Sequence, residues 1–378
     1  MRGPLPLFLR GAKGLWSPTL CPPFDGVLRH KPRGNPKTGN PKTGCSAAIC
    51  PDNGRVKDVL TITFPFFALV LCGYLATRRG MLALQAIAGL NGFVLFFALP
   101  CMLFRFGAST PIAELLDASV VLVYLLCASI MVALVVVLTR RGRIGWNDAA
   151  FGALVGAFPN TGFMGVPLLV ALLGAKAAGP AILAVLLDMV FTSSLCIGLS
   201  RLEASVSTGV SPGRAVQNAL KGVAANPLPW SILLGAAFSA LQLALPRPLA
   251  QTVGLLADAA SPVALFTIGA VLARSQMLTD AGHAHHVPWQ EYVPVAAIKL
   301  FVHPLLVLLV GTLAIHLGLP LQRFSLTALV LLAALPSASN VSLLAERYGA
   351  DNGRIARIIL VSTAAAFVTF SGVVLLMV

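Results

Sequence analysis

The chain has 378 residues, a net charge of +14 and a pI near 10.1, yet only 11% of it is charged and 57% is apolar. A soluble domain carries about a quarter charged residues and roughly 45–50% apolar ones, so there is too little polar side chain here to cover a globule. The composition excludes most soluble classes and points to a polytopic membrane protein, with room for about ten spans at about 20 apolar residues each.

The basic excess is unevenly distributed. Residues 1–57 hold ten Lys/Arg against two Asp/Glu, and residues 58–378 hold seventeen against eleven. The first segment is rich in Pro and Gly, contains the tandem repeat NPKTGNPKTG from Asn35 to Gly44 and has no apolar period. It reads as a disordered basic tail. Its run PLPLFL is too short for the apolar core of a signal peptide. No Met follows Met1 until Met81, inside the second span, and the tail is expected to be a mis-assigned start, with translation opening at a non-AUG codon at Val56. Cysteine adds little. Cys21, Cys45 and Cys50 lie in the tail, the other four lie singly in apolar runs, and no CxxC pair points to a zinc or redox site.

From Asp58 onward the apolar runs fall at about 58–76, 83–107, 118–139, 148–173, 179–200, 226–245, 251–273, 291–317, 323–348 and 353–378. The longest polar stretch, 201–225, divides these ten helices into a first five-helix repeat (58–200) and a second (226–378). Two copies of an odd-numbered unit face opposite ways across a bilayer, which is the inverted-repeat plan of many secondary transporters. The second span reads FFALPCMLFRFGA and the seventh DAASPVALFTIGA, and the pairs Pro100/Pro262, Phe104/Phe266 and Gly107/Gly269 keep one constant offset. The expected fold is therefore an all-α polytopic membrane protein, ten spans in a 5+5 inverted repeat.

Lys and Arg in loops set orientation. Loops after odd-numbered spans carry twelve of them, among them Arg78, Arg140, Arg201, Arg214, Lys221, Arg274, Arg354 and Arg357. The opposite loops carry Lys176, Arg247 and Arg323, with Arg105 near the end of span two. The 201–225 linker is then cytoplasmic and both termini lie outside, in a bacterial inner membrane. Trp146, Trp230 and Trp289 fall near span ends on the cytoplasmic side, as an interfacial belt would place them.

Spans four and nine are interrupted. Pro159 is followed by Asn160, Thr161 and Gly162, and Pro336 by Ser337, Ala338, Ser339 and Asn340. Pro removes a backbone donor and clashes with the preceding turn, and in hydrocarbon the freed carbonyls must be satisfied by protein, polar side chains or water. Each Pro either only kinks its helix, or the two breaks meet near the bilayer centre and offer half-helix N-termini to an anion. The paired, polar character of the breaks favours the second reading. It puts Pro159, Asn160, Thr161, Pro336, Ser337 and Asn340 at a substrate site.

Ionisable residues within spans are costly and are therefore candidates for function. Asp188 in span five, Asp258 in span seven and Lys299 in span eight qualify, with Arg105 and His303 behind them. Lys299 and His303 share a helix face. Lys299 either supplies charge to a carboxylate substrate or neutralises Asp258 or Asp188. Asp258, one turn before Pro262, is either a proton or sodium site or a helix-end residue facing water, and Asp188 is a second coupling candidate. Arg105 is expected to snorkel to the outer interface. His283, His285 and His286 form a cluster that reads as a solvated loop, with only Asp280 nearby to complete a metal site. No HExxH, GxSxG, P-loop or dinucleotide fingerprint is present, so no enzyme is expected.

Taken together, LNGFVLFFALPCMLF, FPNTGFMGVPL, NPLPWSILLG, AASPVALFTIGAVLA, KLFVHPLL and LPSASNVSLLAERYG make residues 58–378 resemble the auxin efflux carrier family, which includes bacterial malonate or malate permeases and plant exporters. The resemblance implies ten helices with crossed, Pro-broken fourth and ninth members, and a carrier of small carboxylates. The short loop between spans five and six is like that of the bacterial members. Pro159, Asn160 and Thr161 match the family motif; the second break has Pro336 and Ser337, with Asn340 four residues after the Pro instead of directly following it. The reading is a secondary active transporter of a small, malonate-like organic anion by alternating access. The alternative is a passive channel or a ligand sensor on the same scaffold. Expected partners are the carboxylate, the lipid bilayer and a second copy in a homodimer, with no nucleic acid. No cofactor is expected, and transport would couple to H+ or Na+.

Overall fold

The computed structural model describes residues 53–109, 117–140, 144–200, 227–280 and 287–378. The tail up to residue 52, the 201–225 linker with Arg201, Arg214 and Lys221, and the His283, His285 and His286 cluster lie outside the described residues. Within them all regular structure is helical. The helices are α1 (Asn53–Arg78), α2 (Ala86–Ser109), α3 (Ala118–Arg140), α4 (Trp146–Ala157), α5 (Thr161–Leu173), α6 (Ala175–Ser200), α7 (Pro227–Ala240), α8 (Arg247–Asp280), α9 (Trp289–His316), α10 (Arg323–Ala333), α11 (Asn340–Arg347) and α12 (Asn352–Met377). Seven of these, α1, α2, α3, α6, α8, α9 and α12, are long and apolar enough to cross a membrane, and α5, α7 and α10 contribute shorter apolar segments. The chain is a multi-pass membrane protein. α3 is rich in Val yet helical throughout, because a spanning segment must satisfy its own backbone and a helix does so without a partner.

One boundary differs from the sequence reading: α1 begins at Asn53, so Val56 and Lys57, read as tail, belong to its first turns. The interruptions expected at Pro159 and Pro336 fall at 158–160 and 334–339, where the backbone is non-helical and each apolar run divides into two helices. Every residue of α4 from Ala149 to Ala157 is buried, as are Leu326 and Ala328–Ala333 of α10. Helices apolar on all sides belong in the middle of a bundle, and both interrupted helices lie there.

Close backbone contacts join α1 to α8 and α2 to α7. A Cβ on Gly73 would stand 1.9 Å from the Phe266 carbonyl oxygen, and one on Gly269 would stand 1.9 Å from that of Val70. In the other pair a Cβ on Gly235 would meet the Phe104 oxygen at 2.3 Å, and one on Gly107 the Ile232 oxygen at 2.7 Å. Val70/Ile232 and Gly73/Gly235 stand at the same offset as Phe104/Phe266 and Gly107/Gly269, so the two contacts are built from corresponding residues. Small residues let spanning helices approach closely, and dispersion then holds them. Gly269→Ala should cost about 1–3 kcal/mol through overpacking, read as a lower melting temperature in detergent. Gly254→Ala in the same helix, where nothing lies within 4 Å, should be neutral or slightly stabilising.

Candidate functional site

The two breaks are bonded to each other. The Asn160 N–H donates to the Pro336 carbonyl at 2.8 Å, and the Ala338 N–H donates to the Phe158 carbonyl at 3.0 Å. Pro159 and Ser337 thus face each other as an isolated antiparallel bridge in an otherwise helical protein. The Phe158 and Pro336 carbonyls, which lie outside the helices at the two breaks, each accept from the chain of the other break, and no water is needed to complete these pairs. The Ser337 N–H is taken up by Ser362 Oγ of α12 at 3.2 Å, and Ser261 Oγ of α8 donates to the Phe163 carbonyl at 3.2 Å. Thr161–Gly165 forms a π-turn that starts α5, with the Asn160 carbonyl accepting from Met164 and Gly165.

Pro159, Asn160, Thr161, Pro336 and Ser337 are therefore brought together, and Asn340 opens α11 beside them. Asn160, Thr161 and Ser337 are buried. Thr161 Oγ1, Ser337 Oγ and Asn340 Oδ1 are buried without a hydrogen-bond partner among the described residues. Buried polar atoms are normally paired, so three unpaired ones leave hydrogen-bonding capacity concentrated at one junction. A cavity of about 30 Å³ adjoins it, lined by Asn91, Leu95, Phe163, Ile268, Val271, Ser339, Asn340 and Ser342. That is room for a water or two, but not for a dicarboxylate. Asn91 of α2 was missed by sequence reasoning; the signal was an amide within the apolar LNGFVLFFALP run.

The charged candidates separate into two groups. Lys299 and Asp188 are fully buried, and each sits on a π-turn, Ile298–Val302 and Asp188–Thr192. Such turns often mark functional positions in helices. Lys299 Nζ donates to the Ala333 carbonyl at 2.8 Å and lies 2.9 Å from His303 Nδ1. Ala333 ends α10, so the ammonium meets the negative end of a half-helix. Asp188 accepts from Tyr124 Oη at 2.6 Å and Thr192 Oγ1 at 3.0 Å. The two make no direct ion pair with each other. Asp258 lies elsewhere: it pairs with Arg105 at 2.6 Å, with the side chains 69% and 42% exposed. Neutralisation of Lys299 by Asp258 is thus not seen, and Arg105 bridges α2 to α8.

Sequence reasoning also missed Arg354, counted there as a loop cation. It is buried in the first turn of α12. Its Nε donates to the Glu291 carbonyl and one terminal nitrogen to the Asp148 carbonyl, both at 2.9 Å. Gly152 makes the space, since a Cβ there would lie 2.9 Å from the guanidinium. Asp351 caps α12 and its N–H donates to Asp148 at 2.7 Å, so α4, the start of α9 and α12 are tied at one end of the bundle.

A bundle of apolar helices with two bridged breaks and buried polar groups at the centre defines a membrane transport protein. The family model described as "Membrane transport protein" matches residues 58–374, and the chain belongs to this family, that of the auxin efflux carriers. A "Putative malonate transporter" of Rhizobium meliloti (strain 1021) is 28% identical over 324 residues, covering 85% of this chain and 96% of that protein. "Uncharacterized transporter YfdV" of Escherichia coli (strain K12) is 26% identical over 296 residues, covering 75% and 86%. "Auxin efflux carrier component 7" of Arabidopsis thaliana is 30% identical over 121 residues, covering 31% of this chain and 19% of that one.

Arg354→Leu would strand the Glu291 and Asp148 carbonyls in the interior. It should destabilise by about 2–4 kcal/mol, measured as a lower melting temperature in detergent, and Arg354→Lys should recover only part of the loss because one ammonium replaces a fork of donors.

Proposed function

We propose that the protein is a secondary active transporter of a small organic anion, a malonate-like carboxylate, working by alternating access in a bacterial inner membrane. The observation that carries this is the reciprocally bonded pair of breaks with Thr161, Ser337 and Asn340 unpaired beside it. Half-helix N-termini at α5 and α11 offer N–H groups and positive dipole ends to a carboxylate, and Asn160 and Asn340 add amide donors. The name of the Rhizobium meliloti relative supports malonate as the substrate to try first. Ten spans in a 5+5 inverted repeat is the architecture that goes with this reading, supported by the matched glycine contacts of α1/α8 and α2/α7, and the distribution of Lys and Arg among the loops favours both termini outside. Because the junction cavity is smaller than the substrate, binding requires α2 and α8 to part from α5 and α11.

Asp188, with its two hydroxyl partners, is the better placed group for H+ or Na+ coupling, and Lys299 holds the end of α10 beside the site. Asp258, exposed and paired with Arg105, serves as a link between helices. Asn160→Ala should abolish malonate uptake into proteoliposomes with expression and melting temperature unchanged; full uptake in that variant would remove the breaks from the mechanism. Asp188→Asn should keep malonate binding, followed by thermal shift, while uptake no longer responds to an imposed proton or sodium gradient. Stimulation of uptake by internal malonate separates a carrier from a channel, which shows none.

A further inference from the structure

Two cavities adjoin where α12 lies against α1 and α8. The first, about 420 Å³, is lined by Ser275, Gln276, Val287, Trp289, Tyr292 and Arg357 among others. The second, about 280 Å³, is almost wholly apolar, lined by Phe67, Leu71, Tyr74, Thr363, Ala364 and Phe367 among others. Leu272 and Leu360 line both, so the two are neighbours across these side chains. The hydrogen bond between Tyr74 Oη and Gln276 lies at the boundary between them.

The polarity runs along the helices. Arg357 stands in the second turn of α12, and Thr363 and Phe367 follow it by six and ten residues, roughly 9 and 15 Å deeper at 1.5 Å per residue. On α1, Tyr74 lies close to the terminal Arg78, and Phe67 is about 10 Å further in. A cation at the bundle end therefore leads into an apolar groove of acyl-chain depth. Among the described residues the Arg357 guanidinium makes one hydrogen bond, to the Val287 carbonyl at 2.7 Å, and lies 5.9 Å from the Tyr292 ring centroid. A guanidinium has five N–H donors, so most of its capacity is unused among the described residues, and the residue lines the larger cavity. Trp289 beside it is 61% exposed, as suits an indole at the headgroup level. Basic pockets between spanning helices are recognised sites for anionic headgroups.

We propose that the two cavities form one site for an anionic phospholipid, with the headgroup phosphate on Arg357 and an acyl chain along Leu71, Thr363 and Phe367. Bound there, the lipid fills the seam between α1/α8 and α12. The site is separate from the substrate junction and does not depend on the transport reading.

Native mass spectrometry of the full chain in detergent, titrated with phosphatidylglycerol and with phosphatidylcholine, tests this. Phosphatidylglycerol should be retained at about tenfold lower concentration than phosphatidylcholine. Arg357→Gln should erase that difference, Arg357→Lys should keep most of it, and Ala364→Trp, which fills the groove, should weaken both lipids. Equal retention of the two lipids by the unsubstituted chain, or an undiminished preference in a folded Arg357→Gln protein, would overturn the proposal. So would displacement of phosphatidylglycerol by sodium malonate or inorganic phosphate, because the cavity would then be taking a small soluble anion.

Discussion

Two backbone hydrogen bonds, from the Asn160 N–H to the Pro336 carbonyl and from the Ala338 N–H to the Phe158 carbonyl, hold the centre of this protein together. In hydrocarbon a helix interrupted by Pro has carbonyls and N–H groups that lipid does not satisfy, and each costs several kcal/mol if left alone. One break by itself would need water or polar side chains. Two breaks in contact supply each other, which is why α4 and α10 are buried on every side and why the other helices surround them. The same arrangement uses the main chain so fully that the side chains of Thr161, Ser337 and Asn340 remain unpaired. The polar atoms available to a ligand are those the junction does not use.

The buried charges follow a related rule. The hydrogen-bond partners of Lys299, Asp188 and Arg354 are all neutral groups: one carbonyl and an imidazole for Lys299, hydroxyls for Asp188, carbonyls for Arg354. An ion pair buried in low dielectric must repay the desolvation of both partners. Here the hydrogen-bond partners are dipoles, so substituting Asp188 does not leave Lys299 without its contacts, while the two charges still act on each other through the interior. At Lys299 the carbonyl belongs to the end of a half-helix, which couples the charge to the geometry of the break.

Much of this organisation is legible in the residues. Apolar runs of spanning length, the two interior Pro residues with small polar neighbours, and the constant offset of Phe104/Phe266 and Gly107/Gly269 all report local requirements that one segment imposes on itself. What is not legible is which segment faces which. The four-residue spacing puts Lys299 and His303 together, and the structure keeps them together, but the same spacing carries no information on whether Asp188 or Asp258 comes opposite. Asp258 meets Arg105, 153 residues earlier. Arg354 next to a loop looks like a solvated cation until Gly152, in a different helix, opens a place for it. Asn91 shows the intermediate case, a polar residue in an apolar run whose partner surface is contributed by α11.

Arg354 also bears on how charge is counted at one end of the bundle. It is one of the basic residues that the loop count of the sequence assigns to one side of the membrane, yet in the folded protein it is enclosed, with Asp148, Glu291 and Asp351 acting on it. Its field contributes little to the finished surface. The surface charge of the folded protein at that end is therefore smaller than the basic-residue count suggests.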